Sequence, residues 1–413
     1  EMVERDWSSD VCSSDLHGFL ELGGDVTLAD DEALWTWSPT DGWALFVREG
    51  KPAPDAAATP LGSDVQWMNN ALTGQMNGAG QVAFSAWVKT GATTPKGGQF
   101  GPDEAGDLVL LAKQGDVLPG MKTGAFQGVS EPVLTDAGAF YGVSATSQYV
   151  TDASGVLVGP GPSGLLTALV LENSPAPGTA DAPDKPDKPF IRIREDMDIS
   201  IVGAGSLAFT TTAGEYLDRR QGLWVRDPDG TTRKLLYYGE PAPGTGDSGI
   251  KIGWYVSRPI GTSSGFLACR AQLDDGGNAR DALYAWAPGA TTPTLVALKG
   301  NPAPGLPDCI LEAPLALGAS PAGHLVYVTP LYGTGSVSGN QAWWLWTAET
   351  GARKVFRKND PVDLGDGTPR TLYFMSVPKM SLGLSGGIDG RLGGMLPDGR
   401  FTAILNFNEK TAA

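Results

Sequence analysis

The chain of 413 residues carries only two histidines, His17 and His324, and three cysteines. Zinc and haem sites draw on clustered His and Cys ligands, and this supply argues against either. Cys269 and Cys309 lie forty residues apart, which permits one disulfide without making a disulfide scaffold. Basic residues are also scarce: 30 Lys and Arg face 46 Asp and Glu, for a formal charge of −16. That balance repels phosphate backbones and anionic membranes, and no basic cluster offsets it, so nucleic acid is not an expected partner. No apolar run suits a transmembrane helix. No window of eleven or more residues keeps an apolar stripe at helical spacing, so helix content is expected to be low.

What the chain does have is 57 Gly and 31 Pro, about one residue in five, alongside 41% apolar residues. That apolar content is enough for a folded core, and the breakers are not scattered. A Gly or Asn followed by a Pro-rich turn recurs at Gly50-Lys51-Pro52-Ala53-Pro54, Gly115 to Gly120, Asn173-Ser174-Pro175-Ala176-Pro177-Gly178, Gly239 to Gly244 and Gly300 to Gly305. A degraded copy stands at Asn359-Asp360-Pro361-Val362, and successive starts are 65, 58, 66, 61 and 59 residues apart. A second marker runs in phase with the first. Asn77-Gly78-Ala79-Gly80-Gln81-Val82-Ala83-Phe84 is its clearest copy. Others begin at Gly138, Gly205, Gly265, Gly323 and Gly399. Two markers in register define a tandem repeat of about sixty residues.

Within each unit the apolar runs have strand length and are bounded by Gly, Pro, Asp or Thr. Leu34 to Trp37 faces Trp43 to Val47 across a Pro/Asp/Gly turn, and Leu223 to Arg226 faces Arg233 to Tyr238 likewise. A unit reads as four strands. The Val-Ala-Phe segment forms the second and a Leu-Trp type segment the third. Trp35, Trp224, Tyr284 and Trp344 recur on that third strand, as blade packing would require. Cys269 takes the place of Phe84, Phe209 and Tyr327 on the second, and reads as a small buried apolar residue. The long Gly91 to Gly106 connection leaves the third strand of its unit open.

This pattern predicts an all-β fold, a β-propeller of six four-stranded blades. The expected units are 65–113, 126–171, 190–238, 250–298 and 310–357. A sixth blade joins 371–407 with 33–49 and so removes an exposed edge. Seven blades are the alternative, with Phe19 to Leu28 as a remnant. Residues 17–413 are read as one domain. Residues 1–16 stand apart, because Asp10-Val11-Cys12-Ser13-Ser14-Asp15-Leu16 resembles a translated sequencing adapter and is set aside as non-native. Without residues 1–16, which hold five acids and one base, the charge is −12. On this reading neither a signal peptide nor an anchor is visible in the chain.

The phased set resembles the bacterial tandem-repeat proteins named for an Asn-x-x-Gly-x-x-Ala-Phe motif and described as "choice-of-anchor". Asn77, Gly80, Ala83 and Phe84 match all four positions, and Gly205, Ala208 and Phe209 match three with Val202 in the Asn place. In the copy at Gly323, Ser320 stands in the Asn place and Val326-Tyr327 replaces Ala-Phe. The resemblance implies an exported or surface-attached protein and supplies no catalytic residues.

The residues themselves nominate none. Asp181 to Asp187 and Asp274-Asp275 read as loops without the spacing of a calcium loop. Ser263-Ser264-Gly265 reads as a turn, and Gly203-Ala204-Gly205 is too short for a phosphate loop. His324 reads as structural. The expectation is therefore a monomeric binding or scaffold module without catalytic activity, metal or cofactor, whose partner is a protein or a carbohydrate. The alternative is a secreted polysaccharide hydrolase or lyase with Asp or Glu at the propeller channel.

Overall fold

A computed structural model describes residues 14–19, 24–27, 32–38, 42–48, 63–66, 75–77, 80–90, 96–121, 125–129, 133–135, 138, 140–146, 155–161, 166–181, 185–193, 198–203, 205–215, 218–333, 340–363, 365, 367–376 and 404–408. The Gly50 turn, the adapter-like segment as far as residue 13 and the Gly399 to Ala403 marker lie outside them. The described secondary structure is β, in small antiparallel sheets of a β-propeller-like kind. No helix among the described residues is long and apolar enough to cross a membrane.

The chain divides into two compact units, Glu1–Leu171 and Glu172–Ala413. The first unit holds three sheets, spanning residues 14–48, 63–113 and 126–171, here sheets 1 to 3. The second holds sheets 4 to 7, spanning 190–237, 251–298, 302–357 and 361–408. Sheet 5 is the plainest, a meander of Lys251–Gly261, Leu267–Asp275, Asn278–Trp286 and Thr294–Leu298. In sheets 2, 3, 4 and 6 the place of its first strand is taken by separate segments pairing with the same second strand. The strand left open by the Gly91 to Gly106 connection is Lys96–Pro102, which places Phe100 opposite Phe84.

The shared blade expected from residues 371–407 and 33–49 differs from the observed grouping. The described residues among them fall in two three-stranded sheets, 371–376 and 404–407 in sheet 7, and 33–38 and 42–48 in sheet 1. The reason lies at the edge of Glu32–Ser38, where Ser14–Phe19 already forms a six-residue antiparallel ladder. Three of those six residues, Ser14 to Leu16, belong to the adapter-like segment.

Both sequence markers have a backbone cause. The leading residue of each described Pro-rich turn is left-handed: Gly115, Gly239 and Gly300 at φ 99°, 81° and 91°, with Asn173 and Asn359 at 66° and 71°. Glycine adopts this conformation freely and Asn tolerates it best among the rest, hence the Gly-or-Asn rule. Each leading N–H then bonds the first strand of the following sheet. The pairs are Gly115 to Phe126 O at 2.7 Å, Asn173 to Phe190 O at 2.6 Å, Gly239 to Ile252 O at 2.8 Å, Gly300 to Leu311 O at 2.9 Å and Asn359 to Leu372 O at 2.7 Å. A return bond runs from each of those first-strand N–H groups to the residue after the leading one, as from Ile252 to Glu240 O at 2.8 Å. The turn is a bracket tying one sheet to the next.

The second marker is a tight turn between first and second strands. Gly80, Gly138, Gly205, Gly265 and Gly323 are all left-handed. Asn77 is fully buried; its Oδ1 accepts from Gln81 N at 2.9 Å and its Nδ2 donates to Thr135 O at 2.8 Å. Thr262 and Ser320, both fully buried, hold the corresponding turns through their hydroxyls. The motif Asn is therefore a turn clamp.

The cores between sheets are apolar and dense with aromatics. Phe84 and Phe100 stack at 4.8 Å, Phe209 and Trp224 at 6.2 Å, and Tyr327 and Trp344 at 5.5 Å, each a cross-strand pair. Cys269 opposes Tyr284 at the same place in sheet 5. Such pairs add about 0.5–1.5 kcal/mol beyond the area they bury.

Candidate functional site

Three of the four recurring third-strand aromatics are not available to a ligand, while Trp35 is half-buried. Trp224, Tyr284 and Trp344 are each 0% exposed, which makes them blade core. Cys269 and Cys309 are both free thiols, buried in different clusters, and burial pushes the Cys269 thiol well up, away from nucleophilic use. His324 is half-buried, with Nδ1 3.0 Å from Ser320 Oγ in the turn ahead of Leu325–Tyr332. The acidic loops close on themselves: Asp187 Oδ1 accepts from Thr179 N at 2.9 Å, and Asp274 Oδ1 from Gly277 N at 2.8 Å. Among the described residues no cluster of His, Cys, Asp and Glu could hold a metal ion.

A different set of residues in the second unit gathers exposed aromatic and charged groups. In sheet 5 the ladder pairs Ile252 with Leu273 and Val256 with Ala271, so three residues of one strand oppose one of the other. This bulge carries Gly253, Trp254 and Tyr255. Gly253 suits it because a Cβ there would lie 3.1 Å from Gln272 O. Trp254 is 62% exposed and Tyr255 39%. Trp254 lies against Tyr238, the last residue before the Gly239 bracket, with ring centroids 4.7 Å apart. Val256 N is fixed to Gln221 Oε1 of sheet 4 at 3.1 Å, which anchors the bulge from below.

The brackets define equivalent positions in the following sheets. Where sheets 4 and 5 place Tyr238 against Trp254, sheets 5 and 6 place Lys299 and Glu312 in an ion pair at 2.9 Å. Sheets 6 and 7 place Lys358 over the Tyr373 ring at 5.1 Å. Charged groups continue inward from the bulge. The Arg270 guanidinium lies 5.7 Å from the Tyr255 centroid and bonds Asp281 Oδ1 through Nε and Nη2 at 3.1 and 2.8 Å. Its hydrogen bond to Glu312, then the nearby Glu312 and Asp281 charges and the Tyr332 phenol, hold the Lys299 ammonium above its usual range. Ser257 Oγ, opposite Arg270 in the ladder, and Asn340 Nδ2 are buried without a hydrogen-bond partner among the described residues. Four exposed large aromatics, Trp254, Tyr255, Tyr332 and Tyr373, thus accompany cations and two carboxylates.

The sequence reading missed this set. Its signal was the adjacent pair Trp254-Tyr255 after Gly253, a break in the alternation a regular strand would keep.

The match over residues 16–118 and 76–389 places the chain in DUF7453, a family of unknown function. No curated protein matches its sequence. Among solved structures it is similar to an oligogalacturonate lyase in complex with manganese, with 12% identity, 81% of this chain and 73% of that one covered, and a TM-score of 0.38. A protein of unknown function from Dyadobacter fermentans gives 11% identity, 74% and 87% coverage and a TM-score of 0.32. An α-L-arabinanase from Penicillium chrysogenum complexed with arabinobiose gives 14%, 72%, 80% and 0.28. The expectation of a module without catalytic activity is corrected here, because the similar structures are repeatedly those of enzymes. Likeness at this level assigns no activity in its place.

Proposed function

We propose that this is an extracytoplasmic, polysaccharide-active protein that receives its substrate at the exposed aromatic surface of the second unit. The observation that carries the reading is the Trp254–Tyr238 pair, with Trp254 on the bulge, its ring tilted 42° to that of Tyr238 and 62% exposed. Sugar rings present apolar C–H faces that settle on aromatic rings and hydroxyls that seek polar neighbours, and both are provided here. Asp281 and Glu312 are the carboxylates on that side and the candidates for acid/base work in a hydrolase or lyase. Export is supported by the resemblance of the repeat to the choice-of-anchor proteins.

The test is a glycan array followed by a turnover screen on every glycan that binds, reading new reducing ends and unsaturated uronides. Binding that Trp254→Ala abolishes, and turnover that Asp281→Asn or Glu312→Gln abolishes, is the expected result. An array without a single glycan bound overturns the reading.

The same proposal includes a six-bladed native fold, with residues 371–407 and 33–49 completing one blade. Its support is that Glu32–Ser38 holds the third-strand place while its neighbour, Ser14–Phe19, begins in adapter-like sequence. In a chain lacking residues 1–16, Ala33→Cys and Leu405→Cys should cross-link under mild oxidation, as facing strands do. Failure to cross-link overturns that closure.

A further inference from the structure

Three exposed aromatics of the candidate site, and the ring that lies against Trp254, have a cation beside them. Arg270 lies over Tyr255 at 5.7 Å, Lys358 over Tyr373 at 5.1 Å, and Arg220 over Tyr238, the partner of Trp254, at 5.8 Å. Tyr332 lies near enough to Lys299 to act on its charge. On a chain of charge −16, four such pairings in one unit set cations against exposed aromatic rings. Arg270, Lys299 and Arg220 are balanced by Asp281, Glu312 and Asp181. Lys358 has no acidic partner among the described residues, and its neighbour Tyr373 is 52% exposed.

We infer that the glycan taken at this surface is acidic, a uronate-bearing chain whose rings lie on Trp254, Tyr255 and Tyr373 and whose carboxylates meet the cations beside them. A neutral glycan would use the aromatic faces alone. A uronate adds charge-assisted hydrogen bonds to the same geometry, and it is a poor match for the remaining, acidic surface, which would keep it in register. The inference rests on the polysaccharide reading above and narrows it to one class.

Homogalacturonan in its free-acid and fully methyl-esterified forms separates the two, because the forms share a backbone and differ in charge. Binding of each to the full chain is measured by calorimetry at low and high salt. The free acid is expected to bind roughly tenfold tighter at low salt, with the advantage shrinking as salt screens it. Lys358→Gln should bring the two affinities closer together, and Lys358→Arg should keep them apart. Equal binding of both forms, or binding of neutral glycans alone, overturns the acidic assignment and leaves the polysaccharide reading standing. If neither form nor any neutral glycan binds, both fall.

Discussion

Trp344 Nε1 donates to Pro304 O across 3.3 Å, and Trp224 Nε1 donates to Pro177 O across the same distance. The two sequence features therefore touch: the third-strand tryptophan of a sheet is bonded to the Pro-Ala-Pro-Gly turn that enters it. Sheet 5 carries Tyr284 at this position, and its buried hydroxyl has no partner among the described residues.

That difference predicts opposite outcomes for two similar substitutions. Trp344→Phe should lose about 1–3 kcal/mol, the indole bond plus part of its volume. Tyr284→Phe removes an unsatisfied buried hydroxyl and should be neutral or stabilising by up to about 1 kcal/mol. Urea denaturation of both variants checks the order. A larger loss for Tyr284→Phe would mean that its hydroxyl has found a partner.

Gly261 tests the packing between sheets 4 and 5. Its N–H bonds Ser200 Oγ at 2.8 Å, and a Cβ built there would lie 2.0 Å from Ile201 O. Backbone cannot yield cheaply at that distance, so Gly261→Ala should cost more than about 3 kcal/mol. Gly276 is left-handed at φ 60° with open space around it, and Gly276→Ala should cost about 1–2 kcal/mol from backbone strain alone. Comparable losses at the two sites would contradict the close approach.

Asn359 isolates the left-handed requirement of the bracket. At φ 71°, Asn359→Gly should be neutral or slightly stabilising, while Asn359→Ala should lose about 1 kcal/mol. The amide exchange of Asn359, bonded to Leu372 O, should follow the same order.

Lys299 supplies a pH signature. Its hydrogen bond to Glu312 raises its folded-state pKa, so whatever stability the pair adds is fully present below the unfolded lysine value, near 10.4, and fades as pH rises through the folded one. Lys299→Met should remove that alkaline component from a pH series of denaturation midpoints. An unchanged alkaline limb would show that the pair is not formed.

Much of the fold was legible because the positions that mark it are constrained by the backbone. Gly80, Gly265 and Gly323 are left-handed, Asn359 and Asn173 stand where only Gly does better, and Asn77 closes a turn, so the repeat is written in residues that few others can replace. Short apolar runs bounded by turn residues likewise marked the strands Leu267–Asp275 and Asn278–Trp286. The candidate site was not legible for the opposite reason. Trp254 and Tyr255 do not recur in the other sheets, and a bulge is set by the count of residues between ladder partners, which is defined only once Leu273 and Ala271 are known to be the partners. The pairing of Ser14–Phe19 with the edge of Glu32–Ser38 was not legible either, because composition does not foretell it.

Trp254 offers the most direct test of the whole account. Being 62% exposed, it should cost the fold no more than about 1 kcal/mol when replaced by alanine, which separates binding from folding. Calorimetric titration of wild type and Trp254→Ala with the array's best glycan should show a loss of about tenfold or more in affinity with the melting temperature nearly unchanged. Equal affinity in the two proteins would contradict the placement of the site.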